Sequence, residues 1–213
     1  MNKKKIFLVY LIPLLFLGGC ESGGNSGPKN PIRVLVLGDS QSSGGNYPGV
    51  APWPSLLQTE EPEWTVINLA VPGESSAGGR ARITSALSSL QPDLVVIMYG
   101  ANDAIHSGSP ADFELNISGM VSIAKAANVR VVLVDIMPIF GVREIFNRNV
   151  PALNERLNAI ASREKVQLAR ISREFRSSGA ENLFPDGLHP DSDATRIIYA
   201  AIRERINAAA SGL

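Results

Sequence analysis

Four short apolar runs recur along the chain, at residues 32–37 (IRVLVL), 64–69 (WTVINL), 94–99 (LVVIMY) and 129–135 (VRVVLVD), with a shorter fifth at 166–169. Their unbroken Val, Ile and Leu content is that of strands buried on both faces. Helical spacing fills the intervals. Phe113, Ile117, Met120, Val121 and Ala124 share one face, after Ser109 as N-cap and Pro110 as first helical residue. Val150, Leu153, Leu157, Ile160 and Ala161 form a second stripe, and Ala194, Ile197, Ile198, Ala201, Ile202 and Ile206 a third that starts near Asp191 or Ser192. Strands alternating with amphipathic helices require a parallel sheet with helices on both faces. The expected fold is a three-layer α/β/α sandwich around a central, mostly parallel five-stranded sheet, with the stripes as core rather than cofactor boxes. Ligands in such sheets bind outside the carboxyl ends of the strands.

Composition narrows the possible functions. Of 213 residues 45% are hydrophobic, and Lys+Arg 20 balances Asp+Glu 20, which fits one globular domain and argues against a basic nucleic-acid binder. Beyond the first twenty positions no apolar run approaches the roughly 20 residues of a membrane span. One Cys and two His supply neither an internal disulfide nor a thiolate metal cluster, so no metal site and no cofactor are expected.

The first residues read as an address. Lys3, Lys4 and Lys5 precede an apolar stretch to Leu17, and Gly18 and Gly19 lead to Cys20, the only Cys. The stretch is short for a span and is broken by Pro13; a retained anchor is the alternative. Leu17-Gly18-Gly19-Cys20 resembles the lipobox of bacterial lipoproteins, which implies residues 1–19 as signal peptide and Cys20 as the acylated residue of the mature chain. At about 0.8 kcal/mol per buried methylene, several acyl chains hold a protein firmly on a membrane. Cleavage removes three of the 20 basic side chains and none of the 20 acidic ones, leaving a net charge of −3 and no attraction to anionic lipid. Residues 20–30 continue as a Gly, Ser, Asn and Pro spacer, and 31–213 form the domain. The expected location is the bacterial cell envelope. Glu21, in place of the Asp associated with inner-membrane retention, favours the outer membrane facing the periplasm.

Polar, Gly-containing segments follow three of the strands: Gly38-Asp39-Ser40-Gln41, Val71-Pro72-Gly73-Glu74 and Gly100-Ala101-Asn102-Asp103. A fourth, Phe184-Pro185-Asp186-Gly187-Leu188-His189-Pro190, precedes the last helix. Each alone is a common turn or helix start. Together they hold what acyl transfer requires: a nucleophilic hydroxyl, a base, a group to orient that base, and donors for an oxyanion.

In this order the four segments resemble the blocks of the SGNH (GDSL-type) hydrolases, over about residues 32–207. The resemblance implies the flavodoxin-like sandwich of that family and a serine esterase. Ser40 is then the nucleophile, His189 the general base and Asp186 its orienting partner. Ser40 N–H, Gly73 N–H and the Asn102 amide are implied as the oxyanion hole. The three-residue spacing of Asp186 and His189 lets a single turn present both side chains. A neutral imidazole is needed to accept the Ser proton, and a carboxylate on the other ring nitrogen fixes its tautomer. Gly at 73 lets its N–H approach a substrate with no Cβ in the way.

The match has departures. Gln41 replaces the usual aliphatic residue after Gly-Asp-Ser, Glu74 stands where Asp is common, and Ala70 where an earlier Gly often sits. Competing motifs are absent: there is no Gly-x-Ser-x-Gly, Gly-Lys-Ser or Gly-Lys-Thr. His106 is a rival base or a solvated loop residue. Asp39 and Asp103 are expected to accept loop backbone N–H groups and so hold Ser40 and Asn102. Glu60, Glu61 and Glu63 read as a solvated loop run.

The loop after the fourth strand, Met137-Pro138-Ile139-Phe140-Gly141-Val142-Arg143, is apolar where a polar loop is expected. Either it packs against its own helix, or Ile139, Phe140 and Val142 wall an acyl pocket. The second reading favours an acyl or aryl ester. Resemblance to periplasmic arylesterases, thioesterases and lysophospholipases points the same way. An acylated-glycan substrate, through deacetylation or O-acyl transfer, is the alternative within the same chemistry; a non-catalytic surface-binding lipoprotein is the alternative outside it. Oligomeric state is not legible.

Overall fold

The computed structural model describes residues 31–106 and 108–211. The leader, Cys20 and the spacer to Asn30 lie outside the described residues. Five parallel strands, β1 (Arg33–Gly38), β2 (Thr65–Asn68), β3 (Leu94–Met98), β4 (Arg130–Val134) and β5 (Gln167–Ala169), form one sheet in the order β2-β1-β3-β4-β5. The strands were expected to be mostly parallel and all are. Among the described residues six α-helices lie between the strands, α1 (Ser40–Ser43), α2 (Trp53–Glu60), α3 (Ser76–Leu90), α4 (Ala101–Ile105), α5 (Pro110–Ala126) and α6 (Val150–Glu164), and α7 (Ser192–Ala210) follows β5.

The unbroken apolar strands serve two cores at once, because successive side chains leave a strand on opposite faces. Leu35, Leu37, Val95, Ile97, Val131 and Leu133 face the core beneath α3, α5 and α6. Val34, Val36, Leu94, Val96, Met98, Val132 and Val134 face the core beneath α2 and α7. The outcome is the three-layer sandwich.

Helix starts follow their capping chemistry. Ser109 accepts from Ala111 N–H before Pro110, and the Asp191 carboxylate accepts from both Asp193 and Ala194 N–H at 2.9 Å, which makes Asp191 the cap of α7. The acidic run divides in a way that was not expected. Glu60 and Glu63 are exposed, but Glu61 is buried and ion-paired with Arg203 of α7, so it joins two helices instead of lying in solvent.

The order places a switch point between β1 and β3, where the chain leaves one side of β1 for the other. Crevices in open α/β sheets form at such points, outside the strand carboxyl ends. Ser40 and Asn102 stand at those two ends.

Candidate active site

Ser40 is fixed by the turn that ends β1. Asp39 caps α1, its Oδ1 accepting from Gln41 N–H at 2.9 Å, so the chain bends and Ser40 begins the helix. Gly38 admits that bend because a Cβ there would sit 2.9 Å from Ser42 Oγ and 3.0 Å from the Met98 carbonyl oxygen. The Asn46 amide donates to the Ser40 carbonyl at 2.8 Å, holding the turn from its far side.

The Gly73 loop is a type II turn in its chemistry: Pro72 presets the second position, Gly73 occupies the third with φ +77°, and Glu74 N–H closes it on the Val71 carbonyl at 3.1 Å. A Cβ at Gly73 would touch nothing within 4 Å, so the positive φ, and not crowding, calls for glycine. Gly73 is exposed, and its N–H has no acceptor among the described residues. Val71 N–H donates to the Gly38 carbonyl at 2.9 Å, and the Asn68 amide donates to the Ser42 carbonyl at 2.8 Å, pinning this loop to the end of β1.

Asn102 lies one residue into α4, after Gly100 at φ +133°, where a Cβ would collide with Ile136 at 2.3 Å. Its Nδ2 donates to the Glu74 carbonyl at 3.1 Å and to Asp39 Oδ2 at 3.2 Å. One amide thereby ties the residue after Gly73 to the residue before Ser40. Asp103 accepts from Ser76 N–H at 3.0 Å and from Ser76 Oγ at 2.5 Å, anchoring the start of α3. Asp39 and Asp103 thus act as expected on loop and helix N–H groups. Burial pushes the Asp39 carboxyl up to about 7 against the hydrogen bond from Gln41 N–H, with the negative charge of Asp103 adding to the rise.

The loop before α7 folds around Asp186. Oδ1 accepts the N–H groups of Leu188 and His189 at 2.9 and 2.8 Å, and Oδ2 lies 2.7 Å from His189 Nδ1. His189 Nε2 lies 2.8 Å from Ser40 Oγ. A continuous chain Asp186–His189–Ser40 results; with the carboxylate accepting Nδ1–H of the neutral imidazole, the Ser40 hydroxyl donates to Nε2. Burial alone would raise the Asp186 carboxyl, but the His189 and Leu188 N–H groups and the imidazole outweigh it and hold it below the usual carboxylate range. It stays an anion.

The apolar loop after β4 does a different job from the expected one. Ile139 is 1% exposed and belongs to the core, its N–H and C=O both bonded to the Asn147 side chain. Phe140 packs on Phe184 with ring centroids 5.2 Å apart, and its N–H donates to the Gly187 carbonyl at 2.7 Å. Val142 is 92% exposed. A pocket wall built from all three is therefore corrected: Ile139 is sealed off, Phe140 is half-buried and braces the Asp186–His189 loop, and Val142 stands out in solvent. His106 is exposed at the end of α4, and no hydrogen bond joins it to Ser40 or Asp186. A cleft of about 530 Å³ near β4 is lined by Asn154, Glu155 and Arg176 among others and contains none of Ser40, Asp186 or His189.

Two supporting contacts were not legible in the sequence. Tyr47 accepts Asp186 N–H at 3.1 Å and Gln41 Nε2 donates to the Leu188 carbonyl at 3.2 Å; both partners are more than 130 positions away in the chain.

Similar proteins share this architecture. The GDSL-like Lipase/Acylhydrolase family pattern matches residues 36–197. The chain is 35% identical to an arylesterase of Vibrio mimicus over 76% of its own length and 82% of that protein. It is 29% identical to the thioesterase 1/protease 1/lysophospholipase L1 of Escherichia coli K12 over 78% of each chain. The crystal structure of TesA superposes with a TM-score of 0.72 at 27% identity, covering 83% of this chain and 98% of the other. With this fold, these strand ends and a family match across most of its length, the chain belongs to the GDSL-like lipase/acylhydrolase family.

Proposed function

We propose that this ester hydrolase works through Ser40, His189 and Asp186 by way of an acyl-enzyme. The observation that carries the reading is the pair of contacts made by one imidazole, 2.8 Å to Ser40 Oγ and 2.7 Å to Asp186. His189 Nε2 takes the Ser40 proton as Oγ attacks the ester carbonyl, and Asp186 holds the tautomer and stabilises the imidazolium. The carbonyl oxygen becomes an oxyanion held by Ser40 N–H, Gly73 N–H and the Asn102 N–H that in the free enzyme donates to the Glu74 carbonyl, which gives up that bond for the developing charge. Collapse expels the alcohol, which takes the proton from His189. Water then attacks the acyl-Ser40 ester with His189 again as base, releasing the carboxylic acid and restoring Ser40.

The substrate class is a small acyl ester. The names of the relatives, arylesterase and thioesterase/lysophospholipase, support aryl and acyl esters with thioesters as a second leaving-group class. The leader supports a location in the bacterial envelope, lipid-anchored through Cys20 on the outer membrane facing the periplasm. Mass spectrometry of the mature protein tests the anchor: an unmodified Cys20 or secretion into the medium sinks it.

Fluorophosphonate labelling tests the mechanism. An adduct located on Ser40 by peptide mass spectrometry, and lost in Ser40→Ala, is the expected result; labelling that persists in the variant overturns it. Release of acetate from acetylated xylan with poor turnover of longer esters would move the substrate to glycans.

A further inference from the structure

The Glu74 carboxylate is held wholly by other side chains. Arg82 Nε donates to its two oxygens at 2.8 and 3.1 Å, Arg82 Nη2 donates to Oε2, and the Tyr99 hydroxyl donates to Oε2 at 2.6 Å. Arg82 Nη2 also donates to the Tyr99 oxygen at 3.0 Å, closing the cluster. Tyr99 is 3% exposed, and the Glu74 and Arg82 side chains are 13% and 25% exposed. Two glycines make room: a Cβ at Gly78 would lie 2.6 Å from Glu74 Cγ, and one at Gly79 would lie 2.4 Å from the Tyr99 ring.

Removing charges from water is costly unless their hydrogen bonds are complete. None of these three side chains bonds to Ser40, Asp186 or His189, so acyl transfer does not use them directly. Their place in the chain does point to a use. Glu74 directly follows Gly73, Tyr99 stands three residues before Asn102, and the Glu74 carbonyl accepts the Asn102 amide at 3.1 Å. The carboxylate therefore fastens the Gly73 turn to the end of β3 from inside, while the carbonyl of the same residue fastens it to Asn102.

We propose that Glu74, clamped by Arg82 and Tyr99, is a positioning residue that sets the spacing between the two oxyanion donors, Gly73 N–H and Asn102 Nδ2. The inference rests on the oxyanion role given to those donors above. A displaced donor binds the ground-state carbonyl almost as before but loses its contact with the charge that develops in the transition state. The signature is a fall in kcat with KM unmoved.

The test uses the full-length protein with p-nitrophenyl acetate and butyrate, active sites being counted by fluorophosphonate titration so that unfolded molecules drop out. Tyr99→Phe deletes a single oxygen and Arg82→Gln removes the charge. Each should lower kcat per titrated site about 10-fold with KM within about two-fold, less than deletion of a whole oxyanion donor. Neither should lower it further in an Asn102→Ala background. A kcat per site at the wild-type level in both variants, even with a lower Tm, overturns the proposal, as does a full additional loss on top of Asn102→Ala. Activity surviving in Ser40→Ala would instead overturn the mechanism on which the proposal rests.

Discussion

The Gln41 side chain donates to the carbonyl of Leu188 across 3.2 Å, so the residue after Ser40 is bonded to the residue before His189. Gln41 is 7% exposed and Leu188 8%. An aliphatic residue here would fill the same space and leave that carbonyl without its partner. Gln41→Met is expected to cost about 1–3 kcal/mol in urea unfolding, the penalty for a buried acceptor left unsatisfied. It should also lower kcat by loosening His189 from Ser40. A variant with unchanged stability and kcat would show that the bond does not hold the loop.

Two glycines with nearly equal φ should respond differently to the same substitution. Gly73 (φ +77°) has open space where a Cβ would go, so Gly73→Ala meets backbone strain alone, about 1 kcal/mol. Gly187 (φ +78°) has the Phe140 carbonyl oxygen 2.3 Å from that point, so Gly187→Ala must push the Phe140 loop and the Asp186–His189 loop apart. Thermal unfolding should show a small drop for the first and a larger one for the second. Equal drops would mean that the contact with Phe140 is soft.

The framework was legible in the sequence because its signals are local. Apolar runs, the Ser109 cap and the Asp191 cap each depend on neighbouring residues, and all appear where expected. The Asp186–His189 pair was legible for the same reason: three residues of spacing bring both groups to one turn. What stayed hidden is long-range. α3 carries its apolar stripe, Ile83, Ala86, Leu87 and Leu90, only in its second half, while in its first half Gly78 and Gly79 make room for Glu74 and Tyr99 instead of contributing side chains to a core. Glu61 looked like one more acid in a surface run until α7 brought Arg203 to it. Ile139 and Val142 are both apolar residues of one loop, yet one is sealed and the other open, a difference that only the packing of the loop decides.

Asp39 makes stability depend on pH with a definite sign. Its folded-state value of about 7 lies above the ordinary 3.8 of an unfolded chain, with burial as the main cause. The folded state therefore binds this proton more tightly, and the associated stability is fully present below about pH 4 and lost as pH rises through about 7. The upper bound over that window is about 4 kcal/mol. Asp39→Asn removes the titration, so the stability difference between wild type and variant should shift in the variant's favour from pH 4 to pH 8. Asp186 has the opposite sign, contributing above the carboxylate range and losing that contribution as acid protonates it. Chemical unfolding of both proteins at several pH values checks the slope; a difference independent of pH would place the Asp39 titration outside this window.

Phe140 separates a wall from a brace. A side chain lining an acyl pocket alters preference among acyl chains when it is truncated, because each chain length loses different contacts. A side chain that braces the acid–base loop slows every substrate alike, because the same proton transfer is impaired in all. Phe140 packs on Phe184, which also meets Phe175 edge-on at 5.0 Å, and its N–H is bonded to Gly187 within the Asp186–His189 turn. Arg143, three residues on, donates to the Asp186 carbonyl at 3.2 Å from the same side. Phe140→Ala is therefore expected to lower kcat/KM several-fold for p-nitrophenyl esters from acetate to octanoate by a common factor, and to lower Tm. Val142→Ser, at a side chain 92% exposed, should leave Tm unchanged. If Phe140→Ala instead slows long acyl chains selectively, the ring contacts substrate and the loop after β4 is a wall after all.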